Sequence, residues 1–265
     1  MYRAAAREVR LVVTASDAQG APAELSAGDL QISEDGRPVS ALTGFYRTAG
    51  RPLEVALLVD VSTSMDKRLA AEVEAARVFL AGALGPADRA RVVPFAEQVK
   101  VVEVRHVSEL EPALATARGH GAVTRLFDAI VVAAERFGPE NGDARRVMVL
   151  LSDGEDTGSA ADLAGALEAA HRAGAALYTI GVGGDARGRE VLRALAERSD
   201  GMYFELRTPK ELERALAQVG RELGTEYVVT FRPEVAPDGR FHTVRATTSR
   251  PGVRLRTRAG YFAMK

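Results

Sequence analysis

The residues best suited to chemistry lie in the segment Leu57-Leu58-Val59-Asp60-Val61-Ser62-Thr63-Ser64-Met65. A run of apolar residues ends there on one carboxylate, with two hydroxyls following at alternate positions. Carboxylate and hydroxyl oxygens are hard donors, and Mg²⁺ favours a few such oxygens with water completing an octahedron at about 2.0–2.1 Å. The same residues would also serve as a helix N-cap, because Asp and Ser side chains accept from the first free N–H groups of a helix. The D-x-S-x-S spacing alone therefore leaves both readings open.

Two later segments add oxygens of the same kind: Gly121-Ala122-Val123-Thr124-Arg125-Leu126-Phe127-Asp128-Ala129-Ile130 and Val149-Leu150-Leu151-Ser152-Asp153-Gly154-Glu155-Asp156-Thr157. Thr124 precedes a helical pattern, and Asp153 ends an apolar run beside a glycine. In an open α/β sheet, ligands gather at the carboxyl ends of the strands, so such a sheet would carry Asp60 and Asp153 to one edge. Asp128, one turn into the helix after Thr124, suits either support of the ion site or the positive end of the helix dipole. Glu155 and Asp156 read as a solvated turn and stay outside the candidate site.

Taken together and in this order, the three segments resemble the metal-ion-dependent adhesion site of the von Willebrand factor type A family, with the resemblance running from Pro52 to about Leu223. It implies a Mg²⁺ site, with Mn²⁺ or Ca²⁺ as alternatives. Ser62 and Ser64 would bind the ion directly and Thr124 directly or through water, while Asp60 and Asp153 would act mainly through bound waters. It implies a partner as well, a protein that presents an Asp or Glu to complete the coordination, and no enzymatic activity. One departure is Gly121-Ala122-Val123, where many members carry two glycines; no ligand is lost by it. Leu30 to Pro38, Asp153 to Ser159 and Gly252 to Phe262 look like a bacterial subgroup with β segments on both sides of the adhesion domain, from which little beyond architecture follows; the family resemblance favours an extracytoplasmic setting.

Other chemistries find less support. An aspartyl-phosphate enzyme could use Asp60, Asp153 and Mg²⁺, but position 62 is Ser where a second carboxylate would help, and no phosphate-holding Lys is close by. A structural module whose metal only ties loops together is a third reading. His106, His120, His171 and His242 show no metal-ligand spacing; His120, just before the Thr124 loop, reads as an exposed loop residue, with a place at the border of the binding face as the alternative. Gly181-Val182-Gly183-Gly184 lacks the Lys-Ser/Thr of a phosphate loop and reads as a tight chain reversal. With no Cys, thiolate sites and disulfides are excluded.

The elements that must position these residues follow from pattern. Apolar runs at Val55 to Asp60, Arg91 to Phe95, Val99 to Val104, Arg146 to Ser152, Ala176 to Val182 and Gly201 to Glu205 read as strands buried on both faces. Helical spacing fills Leu69 to Leu84, Val107 to Ala117, Leu126 to Phe137, Ala160 to Ala173, Arg187 to Arg198 and Pro209 to Leu223. This alternation predicts a doubly wound, Rossmann-like, mostly parallel sheet. Phe95 to Val99 is too short for a crossover helix, so the strand ending at Val104 is expected as an antiparallel edge.

On either side the alternation is β-like: Val9 to Val13, Leu30 to Glu34, a return strand at Val39 to Tyr46 after the Asp35-Gly36 turn, then Tyr227 to Phe231, Phe241 to Thr247 and Val253 to Tyr261. Neither flank buries an apolar face alone. Residues 1–50 and 225–265 are therefore expected to pack together as one small β-sandwich-like domain around an inserted domain, 51–224. The 265 residues hold 35 Lys+Arg against 36 Asp+Glu, a net charge of -1, which gives no field for nucleic acid. No apolar run reaches the roughly 20 residues of a membrane helix, and Met1 to Arg7 lacks the apolar core of a signal peptide.

Overall fold

The computed structural model describes residues 8–48, 50–65, 69–116, 123–137, 144–206, 208–223 and 226–263. Chain order begins with strands β1 (Val9–Ser16), β2 (Leu30–Glu34), β3 (Arg37–Pro38) and β4 (Leu42–Arg47). The central stretch runs β5 (Leu53–Asp60), α1 (Leu69–Ala83), β6 (Arg89–Phe95), β7 (Val102–Val104), α2 (Leu110–Ala115), α3 (Leu126–Phe137), β8 (Arg145–Ser152), α4 (Leu163–Arg172), β9 (Ala175–Val182), α5 (Ala186–Glu197), β10 (Tyr203–Leu206) and α6 (Pro209–Leu223). It closes with β11 (Glu226–Phe231), β12 (Phe241–Thr248), β13 (Arg254–Arg256) and β14 (Gly260–Phe262). Two compact units result, residues 51–220 and residues 1–50 with 221–265. No described helix is long and apolar enough to cross a membrane.

In the first unit six strands lie in the order β10-β9-β8-β5-β6-β7. Every neighbouring pair is parallel except β6 and β7, which are antiparallel. The hairpin between them is held by Lys100 N–H donating to the Pro94 carbonyl at 3.1 Å, and β7 begins only at Val102. Parallel strands covered on both faces have no water-facing side, so the alternation of polar and apolar residues disappears. Along β5 all residues but Glu54 are buried. One core gathers Leu58, Val93, Phe95, Leu126, Ile130, Met148, Leu150, Leu177 and Leu192 from strands and helices alike. Burying a Leu or Ile side chain of this kind contributes roughly 1.5–3 kcal/mol, which is why the helices need no strong propensity of their own.

The second unit contains two antiparallel four-stranded sheets, β13-β1-β11-β4 and β14-β12-β2-β3. Val9, Leu11, Val13, Val229 and Phe231 of the first sheet share a core with Leu30, Ile32, Val244 and Tyr261 of the second. Two elements differ from the sequence expectation. The return strand expected at Val39 to Tyr46 beside β2 is placed differently: the hairpin partner of β2 is the short Arg37–Pro38 just before it, and Leu42–Arg47 pairs with β11 in the other sheet. Likewise Val253 to Tyr261 splits into β13, paired with β1, and β14, paired with β12. A period-2 pattern describes which face of a strand is apolar and is the same in either sheet; the crossing from sheet to sheet is decided by tertiary packing. At the second crossing Gly260 lies so close to β12 that a Cβ there would sit 2.1 Å from the His242 carbonyl oxygen.

Candidate metal centre

The register of the parallel sheet sets the site. Val59 lies beside Leu151, and Ser152 lies beside Gly181, so the ends of β5, β8 and β9 form one row at the carboxyl edge. Asp60 closes β5 and is fully buried. After it the chain makes a short 3-10 turn, Thr63–Met65, with Met65 anchoring it in the core. This turn folds the hydroxyls of Ser62 and Ser64 back toward the row, their oxygens 3.1 Å apart.

Four of the five candidate ligands are joined by hydrogen bonds. Asp60 Oδ1 accepts from the Ser62 N–H at 3.0 Å. The Ser64 hydroxyl donates to Asp153 Oδ2 at 2.9 Å. Burial decreases toward Ser64: Asp60, Ser62 and Asp153 are buried whereas Ser64 is exposed. Thr124, also buried, belongs to the same group of loops through its backbone. Its carbonyl accepts from the N–H groups of Thr157 at 2.9 Å and Gly158 at 3.1 Å, and its own N–H donates to the Thr157 hydroxyl at 2.9 Å.

Sequence reasoning missed three kinds of residue. Ser152, the last residue of β8, donates from its hydroxyl to Asp60 Oδ2 at 2.8 Å and accepts from the Gly154 N–H at 3.0 Å. As a strand terminus it carried no signal. Gly184 and Gly188 press on the Asp153 carbonyl oxygen, which a Cβ at either position would meet at 2.2 or 2.3 Å. Gly183-Gly184 is thus more than a chain reversal, since any larger residue at 184 would push the Asp153 backbone. Asp156, read as part of a solvated turn, instead caps α3: its Oδ1 accepts from the Phe127 N–H at 3.2 Å and from the Ser159 hydroxyl at 2.5 Å. Ser159 in turn accepts from the Asp128 N–H at 3.0 Å, and Asp128 accepts from the Ala160 and Ala161 N–H groups, each at 3.0 Å. The start of α3 and the loop that leads into α4 are therefore tied to each other. The Asp128 carboxyl is raised by burial, but donation from Ala161, Ala160 and Arg125 outweighs that, leaving it below the ordinary range. His120, Gly121 and Ala122 lie outside the described residues.

Electrostatics single out Asp60. Burial pushes its carboxyl up to about 6, against the lowering effect of hydrogen bonds from Ser62 and Ser152, and the charge of Asp153 adds to the rise. A buried carboxylate in that condition is stabilised by any cation brought close. The donor set of carboxylates and hydroxyls fits a hard divalent ion such as Mg²⁺ and not a soft one. Among the described residues no group of three His, Cys, Asp or Glu forms an alternative metal cluster. Three of the five candidate ligands, Ser62, Ser64 and Thr124, offer neutral hydroxyls, so an ion bound directly through them would keep much of its charge.

The sequence model of the von Willebrand factor type A domain matches residues 54–218. No curated protein sequence matches the chain. Among solved structures, a von Willebrand factor type A protein from Catenulispora acidiphila superposes with a TM-score of 0.54 at 16% identity, covering 97% of this chain and 73% of that one. The pilus adhesin SpaC from Lactobacillus rhamnosus GG, in its open conformation, gives 0.54 at 12% identity over 88% of this chain, which spans 47% of the adhesin. BatB, a conserved hypothetical protein from Bacteroides thetaiotaomicron, gives 0.50 at 17% identity over 64% of this chain and 98% of its own. At these identities the likeness is one of fold.

Proposed function

The chain belongs to the von Willebrand factor type A domain family, and from that premise we propose that its α/β unit is a divalent-metal-dependent protein-binding module. Asp60, Ser62, Ser64, Thr124 and Asp153 would hold Mg²⁺, with Mn²⁺ or Ca²⁺ as substitutes. When bound, the ion supplies a Lewis-acidic centre that can accept a carboxylate from an Asp or Glu of a partner protein. The chain's own residues do the rest: Ser152 and the Ser62 N–H orient the Asp60 carboxylate, and Ser64 and Asp153 approach each other at the exposed side. An adhesive or assembly role, outside the cytoplasm, is the biological form of this reading.

The observation that carries it is the hydrogen-bonded set Asp60, Ser62, Ser64 and Asp153, built on a carboxylate whose burial favours a neighbouring cation. A phosphotransferase gains nothing from this geometry. Both Asp60 oxygens accept hydrogen bonds and the residue is fully buried, so it is not presented as a nucleophile.

Thermal unfolding in EDTA, Mg²⁺, Mn²⁺ and Ca²⁺ tests the ion site, with Asp60→Ala and Ser62→Ala as controls. At an ion concentration a hundred times the dissociation constant, linkage stabilises by about 2.7 kcal/mol. At roughly 2–4 °C per kcal/mol for a protein of this size, the shift is readily measured. An ion-specific shift that both substitutions abolish supports the site; a folded wild type unmoved by millimolar ion removes it. Ion affinity that rises with an acidic protein ligand separates a binding module from a metal that only ties loops together.

A further inference from the structure

Resting on that metal-dependent reading, we propose that Thr157 is a positioning residue: it fixes Thr124 against the loop that begins at Asp153, and so sets the affinity of the site and its preference for Mg²⁺ over Ca²⁺. Thr124 approaches the site from the start of α3, whereas Asp153 approaches from the end of β8. They lie 29 residues apart in sequence, and an ion that uses both needs one frame for two loops.

Thr157 and Gly158 provide that frame. Both backbone groups of Thr124 are taken up by them: the N–H by the Thr157 hydroxyl, the carbonyl by the N–H groups of Thr157 and Gly158. The approach is close, since a Cβ on Gly158 would meet Val123 Cγ1 at 2.4 Å. On the other side Arg125 N–H donates to the Ala96 carbonyl at 3.0 Å, so the chain around Thr124 is held from two directions. At the far end of the same loop the Asp153 carbonyl is pressed by Gly184 and Gly188. Only three residues separate the fixed point at Asp153 from the clasp at Thr157, and the bonds of Asp156 within that span and of Ser159 just beyond it tie the loop to α3.

The expected consequence is selective. Mg²⁺ requires near-ideal octahedral geometry at about 2.0–2.1 Å, while Ca²⁺ accepts 6–8 oxygens at looser distances. A Thr124 that wanders by a fraction of an ångström penalises Mg²⁺ more. Outer contacts that orient metal ligands are typically worth 10–100-fold in affinity. Thr157 is itself exposed, so removing its hydroxyl opens no cavity.

Thr157→Val deletes the hydroxyl and keeps both the shape and the N–H; Thr157→Ser restores it. In the full chain, Mg²⁺ and Ca²⁺ affinities are measured by calorimetry, and Thr124 amide exchange and melting temperature are measured in EDTA. For Thr157→Val the expectation is faster Thr124 exchange by about tenfold or more, Mg²⁺ affinity lowered about tenfold, a smaller loss for Ca²⁺, and little change in melting. Thr157→Ser should return each value toward wild type. Unchanged Mg²⁺ affinity and Mg²⁺/Ca²⁺ ratio in Thr157→Val overturns the inference while leaving the metal site standing. An equal loss for both ions accompanied by a fallen melting temperature also overturns it, as general destabilisation. A wild type that binds neither ion overturns the metal reading, and this inference with it.

Discussion

The Ser152 hydroxyl donates to the buried Asp60 carboxylate at 2.8 Å and accepts from the Gly154 N–H at 3.0 Å, so one side chain orients the acid at the end of β5 and ties down the turn that follows Asp153. Ser152→Ala should leave the sheet intact, because its pairing to β9 runs through backbone. It should lower Mg²⁺ affinity by about tenfold, the scale of a lost outer contact, and raise the Asp60 titration above its present value of about 6. Calorimetric titration near neutral pH checks this; wild-type affinity would show that the other Asp60 contacts suffice.

Gly188→Ala sets two effects against each other. Gly188 lies in the first turn of α5, where the Asp185 carboxylate accepts from its N–H at 2.8 Å. Replacing a helical glycine by alanine ordinarily stabilises by roughly 0.5–1 kcal/mol. Here the added Cβ would stand 2.3 Å from the Asp153 carbonyl oxygen, and overpacking of that kind costs about 1–3 kcal/mol. The clash should win, giving a net loss in urea unfolding together with weaker ion binding. A more stable variant would mean that the loop yields without cost.

Asp128→Ala removes the acceptor for the Ala160 and Ala161 N–H groups and the ion pair to Arg125 at 3.3 Å. Loss of a carboxylate that accepts from two loop N–H groups costs about 1–3 kcal/mol, toward the lower end because water can reach part of the freed groups. Urea unfolding should show that loss, and calorimetry should show ion affinity nearly unchanged while Thr157 and Ser159 remain. A large drop in affinity would reassign Asp128 to the site itself.

In the β unit, His242 lies between two carboxylates, with Nδ1 2.7 Å from Asp35 and Nε2 3.2 Å from Asp238. The bonds to Asp35 and Asp238 raise its titration above the ordinary 6.5, and the imidazole in turn helps to lower both acids. A raised histidine stabilises the fold below about 6.5 and loses that contribution as pH climbs through its folded value. The lowered acids stabilise above about 3.8 and lose it as pH falls. Unit stability should therefore peak between those limits. In His242→Gln the decline on the alkaline side should disappear; a decline that persists would place its origin elsewhere.

The uninterrupted apolar run Val55 to Val59 within β5 and the oxygens following it were legible because burial on both faces and a sharp change to Asp, Ser and Ser are local properties. The antiparallel edge at β7 was legible from loop length alone. What escaped depends on contacts between distant segments. Ser152 looks like any strand terminus, Gly188 like any glycine at a helix start, and Asp156 like a turn acid until α3 is placed beside it. In the β unit, the apolar faces were visible, but the crossings after Pro38 and after Arg256 were not, because a strand carries no mark of which of two sheets it will join.

The β unit also carries a constraint in time. Thr48 and Glu226 meet across 178 residues of sequence, and β11 lies between β1 and β4. Until the segment after residue 225 has been made, β1 has neither of its neighbours, β11 and β13, and its edges stand open to other chains. The inserted α/β unit depends on no such distant pairing and can mature first. Refolding followed by pulsed hydrogen exchange should find the amides of Val55 to Val59 protected before those of Val9 to Val13; the reverse order would mean that the ends of the chain find each other while the middle is still unfolded.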